Sequence, residues 1–343
     1  MSKTLSYAGK NLAEFSMFFD SSKIYKKPLK QYSGYDIPNR NGKLYQPSNK
    51  YSNVIIEYQC YIRENFGENF TALINYLNSF DTYQRLEDTT DPLMYRMALF
   101  HIEVNANTGA FLKDGKFTLS FDCKPQTYYK SGEEWLNLPR TINNPSFMKS
   151  RPLFRFENIT QPFGVVANGT AVISYKNAVR MIINQTVNGI NFTANGTTLV
   201  VRKVGTPQQT QMNIALGSSR LAAGQYRLIV ASYGQLEVRN GSTVLSTGGT
   251  FTLSETTAVT VYYVITPSAD MPSITNVTLS LMPLGTLYID CELMDCYIVY
   301  NGVAYSHNET VELPADYIEL GESTELLVTG SVTGYIAPRW WRL

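Results

Sequence analysis

Residues 80–100, FDTYQRLEDTTDPLMYRMALF, and residues 115–133, GKFTLSFDCKPQTYYKSGE, carry the pattern that decides the fold of the N-terminal part of the chain. In both segments large apolar side chains occupy every second position: Tyr95, Met97 and Leu99 in the first, and Phe117, Leu119 and Phe121 in the second. Because successive side chains of a strand point to opposite faces, each segment predicts a half-buried β-strand. Residues 104–116 between them are rich in Gly and Asn, which is typical of a surface loop.

An amphipathic helix is predicted just before these strands. In residues 64–80, ENFGENFTALINYLNSF, apolar residues recur every three or four positions: Phe66, Phe70, Leu73, Ile74, Leu77 and Phe80. This spacing places them along one side of a helix, which we expect to pack on a sheet. Residues 51–62, YSNVIIEYQCYI, alternate and predict a strand that leads into the helix.

The composition favours β structure and argues against several classes of function. The 343 residues include 24 Tyr, 23 Gly and 15 Pro but only 17% charged residues, which is typical of a mainly β chain of two or three domains. Lys and Arg number 29 against 28 Asp and Glu, so we expect no sequence-specific nucleic-acid binding. No run of 18 apolar residues occurs, and residues 1–15 lack the apolar core of a signal peptide. We therefore expect no membrane insertion, and synthesis in the cytoplasm.

The chain shows little that could support catalysis. It has four Cys and two His, without CxxC, HExxH, GxSxG or phosphate-loop motifs, so we predict no catalytic residue, no metal and no cofactor. An acidic cluster near two arginines could suggest paired-carboxylate catalysis: Asp81, Glu87, Asp88 and Asp91, with Arg85 and Arg96. Salt bridges are the simpler interpretation of these residues. An enzyme of some kind stays open as a third alternative.

Five short segments resemble a known family. DTYQRLEDTTDP (residues 81–92), MYRMALF (94–100) and GKFTLSFDCKPQTYYKSGE resemble, in this order, the N-terminal domain of distal tail proteins of long, non-contractile-tailed bacteriophages, the Dit family. GTLYIDCELMDCY (285–297) and APRWWRL (337–343) resemble the C-terminal domain of the same family. In the terminal segment Trp340 and Trp341 are adjacent, so we expect one in the core and one at an interface or a domain seam.

The resemblance implies a structural role in the virion, at the distal end of the tail, for a protein made in the host cytoplasm. Its N-terminal domain would be a β-sandwich with one helix that forms a hexameric ring, with DNA passing through the channel. Its C-terminal domain would be a galectin-like β-sandwich. The implied partners are other copies of the chain, the tail tube protein, a tail-associated hub or lysin protein, and receptor-binding proteins.

A candidate ring-interface arm lies in residues 21–50, which are rich in Lys, Tyr and Pro. The family has a P-x-R-N-G run in an extended part of the ring-forming domain, and Pro38, Arg40, Asn41 and Gly42 match it. Asn39 stands where the family usually has glycine. The alternative interpretation is an exposed hairpin with solvated lysines.

Three domains are predicted, one of them inserted in another. Residues 136–152 contain three prolines and suggest a boundary, so residues 1–140 form the first domain. Residues 141–183 and 284–343 form the second. Residues 184–283 form an inserted module, because they hold only eight of the 57 charged residues, and their resemblance to inserted phage tail modules implies a small jelly roll. Five of its segments read as strands, with an Asn240-Gly241 hairpin turn: residues 221–230, 235–246, 249–255, 258–265 and 276–282.

The inserted module suggests a second hypothesis, carbohydrate binding. Residues 221–228, LAAGQYRL, resemble a phrase of jelly-roll modules inserted in phage tail proteins, whose topology is similar to that of carbohydrate-binding modules. Sugars stack on exposed aromatic rings, and the candidates for such stacking are Tyr226, Tyr233, Tyr262 and Tyr263. Tyr262 and Tyr263 are adjacent, so only one of them can face the core. The partner would be a host cell-wall saccharide, and the alternative is that these rings only pack.

Overall fold

The computed structural model describes residues 3–100, 115–176, 178–231, 234–268, 271–313 and 318–343, and its fold is mainly β. The predicted loop at residues 104–116 lies outside the described residues except for its last two positions. The chain divides into two compact units. The first comprises Met1–Glu134, Pro145–Met148 and Arg339–Leu343, and the second comprises Trp135–Asn144 and Lys149–Pro338.

The first unit is built on one large antiparallel sheet. The strands of this unit are β1 (Leu5–Tyr7), β2 (Lys10–Asn11), β3 (Met17–Tyr25), β4 (Lys30–Asp36), β5 (Lys43–Tyr51), β6 (Val54–Ile62), β7 (Gln84–Asp88), β8 (Met94–Leu99) and β9 (Lys116–Tyr129). The last strand of the chain, β31 (Trp341–Arg342), also belongs to this unit. Its helices are α1 (Phe66–Leu77) and the short 3-10 helices Leu12–Phe15 and Lys130–Glu133. The sheet runs in the order β2-β1-β7-β8-β9-β6-β3, with β31 on β9, and β4 pairs with β5 alone.

Helix α1 packs its apolar side on this sheet, as the sequence predicts. Leu73 and Leu77 are fully buried, and the ring of Phe70 meets that of Phe117 on β9 edge to face at a centroid distance of 5.2 Å. Burying a leucine side chain stabilises a fold by about 1.5–3 kcal/mol, so the helix contributes through this face more than through its own propensity. The predicted helix is therefore confirmed.

Strand β9 has the predicted buried face, but β8 does not. Phe117, Leu119 and Phe121 are buried. On β8 the core instead receives Met94, Arg96 and Ala98, and the predicted set of Tyr95, Met97 and Leu99 lies half-buried on the other side. Tyr95 is covered there by neighbours: its ring stacks on Tyr128 at 5.2 Å, and the guanidinium of Arg85 lies 3.9 Å from its centroid.

The described residues of the second unit form four sheets. Its strands before and within the module are β10 (Leu136–Asn137), β11 (Arg140–Asn143), β12 (Leu153–Glu157), β13 (Phe163–Ala167), β14 (Thr170–Tyr175), β15 (Met181–Val187), β16 (Ile190–Gly196), β17 (Thr198–Lys203), β18 (Met212–Leu221), β19 (Gly224–Ala231), β20 (Gln235–Asn240), β21 (Thr243–Ser246), β22 (Gly249–Leu253), β23 (Thr257–Ile265) and β24 (Ile274–Pro283). After the module come β25 (Thr286–Asp290), β26 (Asp295–Tyr300), β27 (Val303–Ser306), a 3-10 helix (Asn308–Thr310), β28 (Val311–Glu312), β29 (Ser323–Thr329) and β30 (Thr333–Ala337).

Two of these sheets belong to the predicted host domain and two to the predicted module. The host sheets are β10-β30-β12-β25-β26-β27 and β11-β29-β13-β14-β28. The module sheets are β15-β16-β17-β24-β19-β22 and β18-β23-β20-β21, and their facing sides share one hydrophobic core. The strands predicted in the module are present, and Asn240 pairs with Thr243 across the predicted turn, where Gly241 has φ +57°.

The units differ from the predicted domains at four places, one of which is Pro145–Met148, a stretch of the predicted second domain that belongs to the first unit. Residues 135–140 belong to the second unit, because β10 pairs with β30 there. The last five residues belong to the first unit, because Trp341 pairs with Tyr128 on β9. The module sheet begins at Met181 rather than residue 184, and the host sandwich and the module form one compact unit.

The two ends of the module lie side by side. The amide of Ala178, just before the module, donates to the carbonyl oxygen of Leu281 on the last module strand (3.0 Å). The amide of Leu284 donates to the carbonyl oxygen of Gln225 (2.7 Å), and the His307 ring packs against Tyr226 with centroids 6.2 Å apart. Adjacent ends are what a domain inserted in a loop requires.

We expect residues 181–283 to be removable without unfolding the host sandwich. A short Gly-Ser linker from Arg180 to Leu284 should close the gap, since the entropy cost of a loop grows slowly with its length. Far-UV circular dichroism and a cooperative thermal transition would show the folded product. A matched deletion of residues 153–157, which removes the central host strand β12, should abolish folding. An insoluble or molten module deletion would show that the two sandwiches depend on one shared core.

Candidate functional site

The candidate arm is a two-stranded hairpin, β4–β5. Tyr35 pairs with Leu44 and Asp36 with Lys43, and the predicted residues Pro38, Arg40, Asn41 and Gly42 lie together and exposed at its turn. Asn39 adopts φ +62°, a left-handed conformation that asparagine tolerates better than most residues, so it can replace the family's glycine. Gly42 has φ +87°. The sequence motif thus marks the tip of the arm.

Large apolar side chains are exposed on both faces of the arm, although the motif did not include them. Tyr32, Tyr35, Leu44 and Tyr45 are 53–63% exposed. Strand alternation places Tyr32 and Tyr45 on one face, where their rings meet edge to face at 6.2 Å, and Tyr35 and Leu44 on the other. An isolated two-stranded hairpin is at best marginally stable in water. These side chains are thus available to pack against another molecule.

The arm is also strongly basic. Residues 26–50 contain one acidic residue, Asp36, and six basic ones: Lys26, Lys27, Lys30, Arg40, Lys43 and Lys50. The exposed pair of Lys43 and Asp36 is 3.7 Å apart and contributes little to stability. A surface that receives the arm would therefore be apolar with acidic groups around it. The sequence composition already showed the Lys and Tyr enrichment of this segment, but not which side chains share a face.

The four predicted sugar-stacking tyrosines do not form a common site. Tyr226 and Tyr263 are 1% and 0% exposed and belong to the module core, so the prediction that they stack on a sugar is wrong. The hydroxyl of Tyr226 donates to the carbonyl oxygen of Ala222 (3.0 Å), and its ring stacks on Phe251. Tyr233 lies outside the described residues. Tyr262 is half-buried on the outer side of its sheet.

Polar groups that the sequence did not single out surround Tyr262. Glu237 is its direct neighbour across β20 and β23, and the guanidinium of Arg239 lies 4.7 Å from its ring centroid. Arg239 Nε donates to Glu237 Oε2 (2.7 Å), and its Nη2 donates to Asn213 Oδ1 (3.2 Å). We name these residues, Asn213, Glu237, Arg239 and Tyr262, the module cluster. Only strand register brings them together, and a single sequence does not reveal register.

The acidic residues near the first strands are engaged in structural contacts. Arg85 binds Glu87 and, through Nη1, Glu133 Oε2 (2.6 Å). Asp88 accepts a hydrogen bond from the Tyr58 hydroxyl (2.9 Å), and Arg342 Nη2 lies 3.0 Å from Asp91 Oδ2. These contacts fit the salt-bridge interpretation of the acidic cluster.

The thiols and the described histidine are buried. Cys60, Cys123, Cys291 and Cys296 are buried and free of disulfides, and burial raises the pKa of Cys296 to about 12. Burial lowers the pKa of His307 to about 4, so this imidazole is neutral at pH 7. His101 lies outside the described residues. Within the described ranges, no group of three or more His, Cys, Asp or Glu side chains could hold a metal ion.

The one α-helix in the described part of the chain is too short to cross a membrane, and no helix there is long and apolar enough to do so.

The fold and the arm define a mainly β protein of two units with an exposed aromatic and basic hairpin. No protein-family model and no curated protein matches the sequence. Among solved structures, the chain is similar to the Dit (gp 19.1) protein of phage SPP1, described as a paradigm of the hub adsorption apparatus, at 12% identity over 100% of both chains with a TM-score of 0.48. It is also similar to a chain of the phage P2 baseplate in its activated conformation with Ca, at 12% identity over 98% of both chains with a TM-score of 0.35.

Proposed function

We propose that this chain is a structural protein of a phage tail tip, present at the distal end of the tail. Its first unit forms a hexameric ring that joins the tail tube to the tail-tip and host-recognition machinery, and DNA passes through the channel. The partners are other copies of the chain, the tail tube protein, a hub or lysin protein and receptor-binding proteins. The sequence segments that resemble distal tail proteins, in both parts of the chain, support this assignment.

The exposed arm is the observation that carries the proposal. A soluble monomer gains nothing from four large apolar side chains on the two faces of a hairpin, whereas an assembly interface uses such residues as anchors. Tyr is enriched at interfaces because it buries much area and keeps a polar end. The arm therefore fits a segment that leaves its own unit and packs on a neighbour.

A ring follows if each arm binds the next subunit in the same direction. Such a contact is heterologous: the arm of one copy meets a different surface on its neighbour, and the series closes when the rotation allows it. The acidic and apolar surface that receives a basic arm would lie on the neighbouring first unit. Enzymatic activity plays no part in this proposal.

We expect the purified protein to assemble into a ring of about six subunits. Light scattering should give a mass of about six chains, and negative-stain images should show particles with a central hole. Tail tube protein should be added in a second measurement, since the ring could require that partner. A monodisperse monomer at high concentration in both measurements would contradict the proposal.

A second candidate function is saccharide binding at the module cluster. The outer side of one sheet brings together an aromatic ring, a carboxylate, a guanidinium and an amide. Such polar groups bind sugar hydroxyls, and such a ring packs against a pyranose face. Arg has five N–H donors and a carboxylate about four acceptor positions, so both keep capacity for hydroxyl groups. The ligand would be a neutral host cell-wall saccharide. Repetition around a ring would convert weak single sites into useful avidity.

Replacing Arg239 and Glu237 together with Ala should reduce retention of the protein on host cells by about tenfold or more, because ring avidity multiplies the loss at each site. Fluorescently labelled protein incubated with host cells measures retention. Arg220→Ala, which removes an exposed charge on the same sheet, is the matched control. Equal retention of both variants and the parent would exclude the module cluster as a sugar site and leave the structural role untouched.

A further inference from the structure

A small polar recess lies in the first unit, where β6, β7, β8 and β9 meet. Its volume is about 30 Å³, and the polar residues that line it are Tyr58, Asp88, Asp91, Tyr95, Arg96 and Thr127. None of these residues belongs to the arm or to the predicted interface motif. The proposed ring contact therefore does not account for this group of polar side chains.

The hydroxyl of Thr127 is the feature that points to a ligand. This side chain is 4% exposed, and its Oγ1 has no hydrogen-bond partner among the residues that the structure describes. A buried polar group without a partner costs about 1–3 kcal/mol, so native proteins usually satisfy it with another group or with ordered water. Thr127 is part of the lining of the recess, where such a partner could reach it.

The size of the recess restricts the ligand. A cavity needs roughly 10–15 Å³ on this measure to hold one water molecule. About 30 Å³ exceeds that limit but is too small for a sugar ring or a nucleotide. The ligand is therefore of the size of water or of a single small ion.

The charges around the recess argue against an ion. The carboxylates of Asp88 and Asp91 would repel an anion, and the largely buried guanidinium of Arg96 would repel a metal cation. Asp88 already accepts hydrogen bonds from the Tyr58 hydroxyl and from the Thr90 amide (2.9 Å each), and Asp91 binds Arg342. A neutral molecule that both donates and accepts hydrogen bonds suits this mixture of groups best.

We propose that the recess binds an ordered water molecule, with the Thr127 hydroxyl as one ligand and the polar side chains of β7 and β8 as the others. This water connects three neighbouring strands at the part of β9 on which the C-terminal strand β31 docks, since Thr127 pairs with Arg342. It satisfies the buried hydroxyl of Thr127 at the position where β31 pairs with β9, beside the hydrogen-bonded carboxylate of Asp88 on β7. It is thus a structural part of the first unit.

High-resolution crystal structures of the full chain and of two variants test this proposal. Thr127→Ser keeps the hydroxyl, and Thr127→Val has nearly the same shape without it. We expect a water peak within hydrogen-bond distance of the residue 127 hydroxyl in the parent and in Thr127→Ser, and loss of that peak in Thr127→Val.

Three results would overturn the proposal. The parent could show the Thr127 hydroxyl bonded to a protein group with no solvent peak in the recess. Crystals soaked in rubidium or bromide salts could show an anomalous peak there, which would identify an ion. Thr127→Val could keep the water at full occupancy, which would show that the hydroxyl is not a ligand. Crystals of the parent, unsoaked and soaked, decide the first two, so the proposal stays testable if a variant does not fold.

Discussion

A variant with Tyr32→Ser, Tyr35→Ser, Leu44→Thr and Tyr45→Thr should stay folded but fail to form a ring. The four side chains are exposed and do not belong to the core of the first unit, so their loss should leave the thermal transition nearly unchanged. If they anchor the arm on a neighbour, their loss removes the central contacts of every interface at once. Light scattering should then give a mass about six times smaller than that of the parent ring.

The control for this variant changes equally exposed apolar residues elsewhere. Ile182→Thr with Leu293→Ser removes side chains that are 71% and 72% exposed, both in the second unit. This control should assemble like the parent. If the arm variant assembles normally, the arm is not the ring interface. If the control also gives monomers, the loss of assembly reflects general surface polarity rather than the arm.

Trp340→Ala should destabilise the first unit by about 3–5 kcal/mol, the usual cost of truncating a buried tryptophan. Trp340 is 5% exposed, and its carbonyl oxygen accepts a hydrogen bond from the Tyr129 amide (2.9 Å). Its loss should also weaken the docking of β31 on β9. Urea unfolding followed by far-UV circular dichroism measures the change. Trp341→Ala is the matched control, because Trp341 is half-exposed and should cost less.

Gly132→Ala tests the same docking from the other side. A Cβ atom at Gly132 would lie 2.4 Å from the backbone nitrogen of Trp340, so the C-terminal strand must move away. We expect a loss of about 1–3 kcal/mol, typical of overpacking. A variant as stable as the parent would show that β31 contributes little to the first unit.

The sequence predicted those elements whose pattern is local. The apolar spacing of residues 64–80 predicted α1, and the alternation of residues 258–265 predicted β23, because both patterns depend only on the period of one element. The adjacency of Trp340 and Trp341 likewise predicted that one ring is buried, and Trp340 is. That the half-exposed Trp341 lies at an interface or domain seam stays a prediction.

Properties that depend on register were not predictable. The pair Tyr262 and Tyr263 showed that one must face inward, but only the pairing of β23 with β20 decides that Tyr263 enters the core and Tyr262 joins Glu237 outside. Tyr226 and the buried face of β8 depend on neighbours that lie far along the chain. The position of β31 also depends on a distant neighbour, β9. The sequence alone assigns the terminal segment APRWWRL to the second domain.

The pairing of β31 with β9 also has a consequence for the order of events during synthesis. Roughly 200 residues separate Tyr128 from Trp341, so the ribosome makes the entire second unit before it supplies the strand that completes the first. At about 5–20 residues per second, this interval lasts roughly 10–40 s. During it the second half of β9 lacks the strand that pairs with it in the finished unit. A first unit that is completed only late in translation would also enter assembly late, together with a fully made second unit.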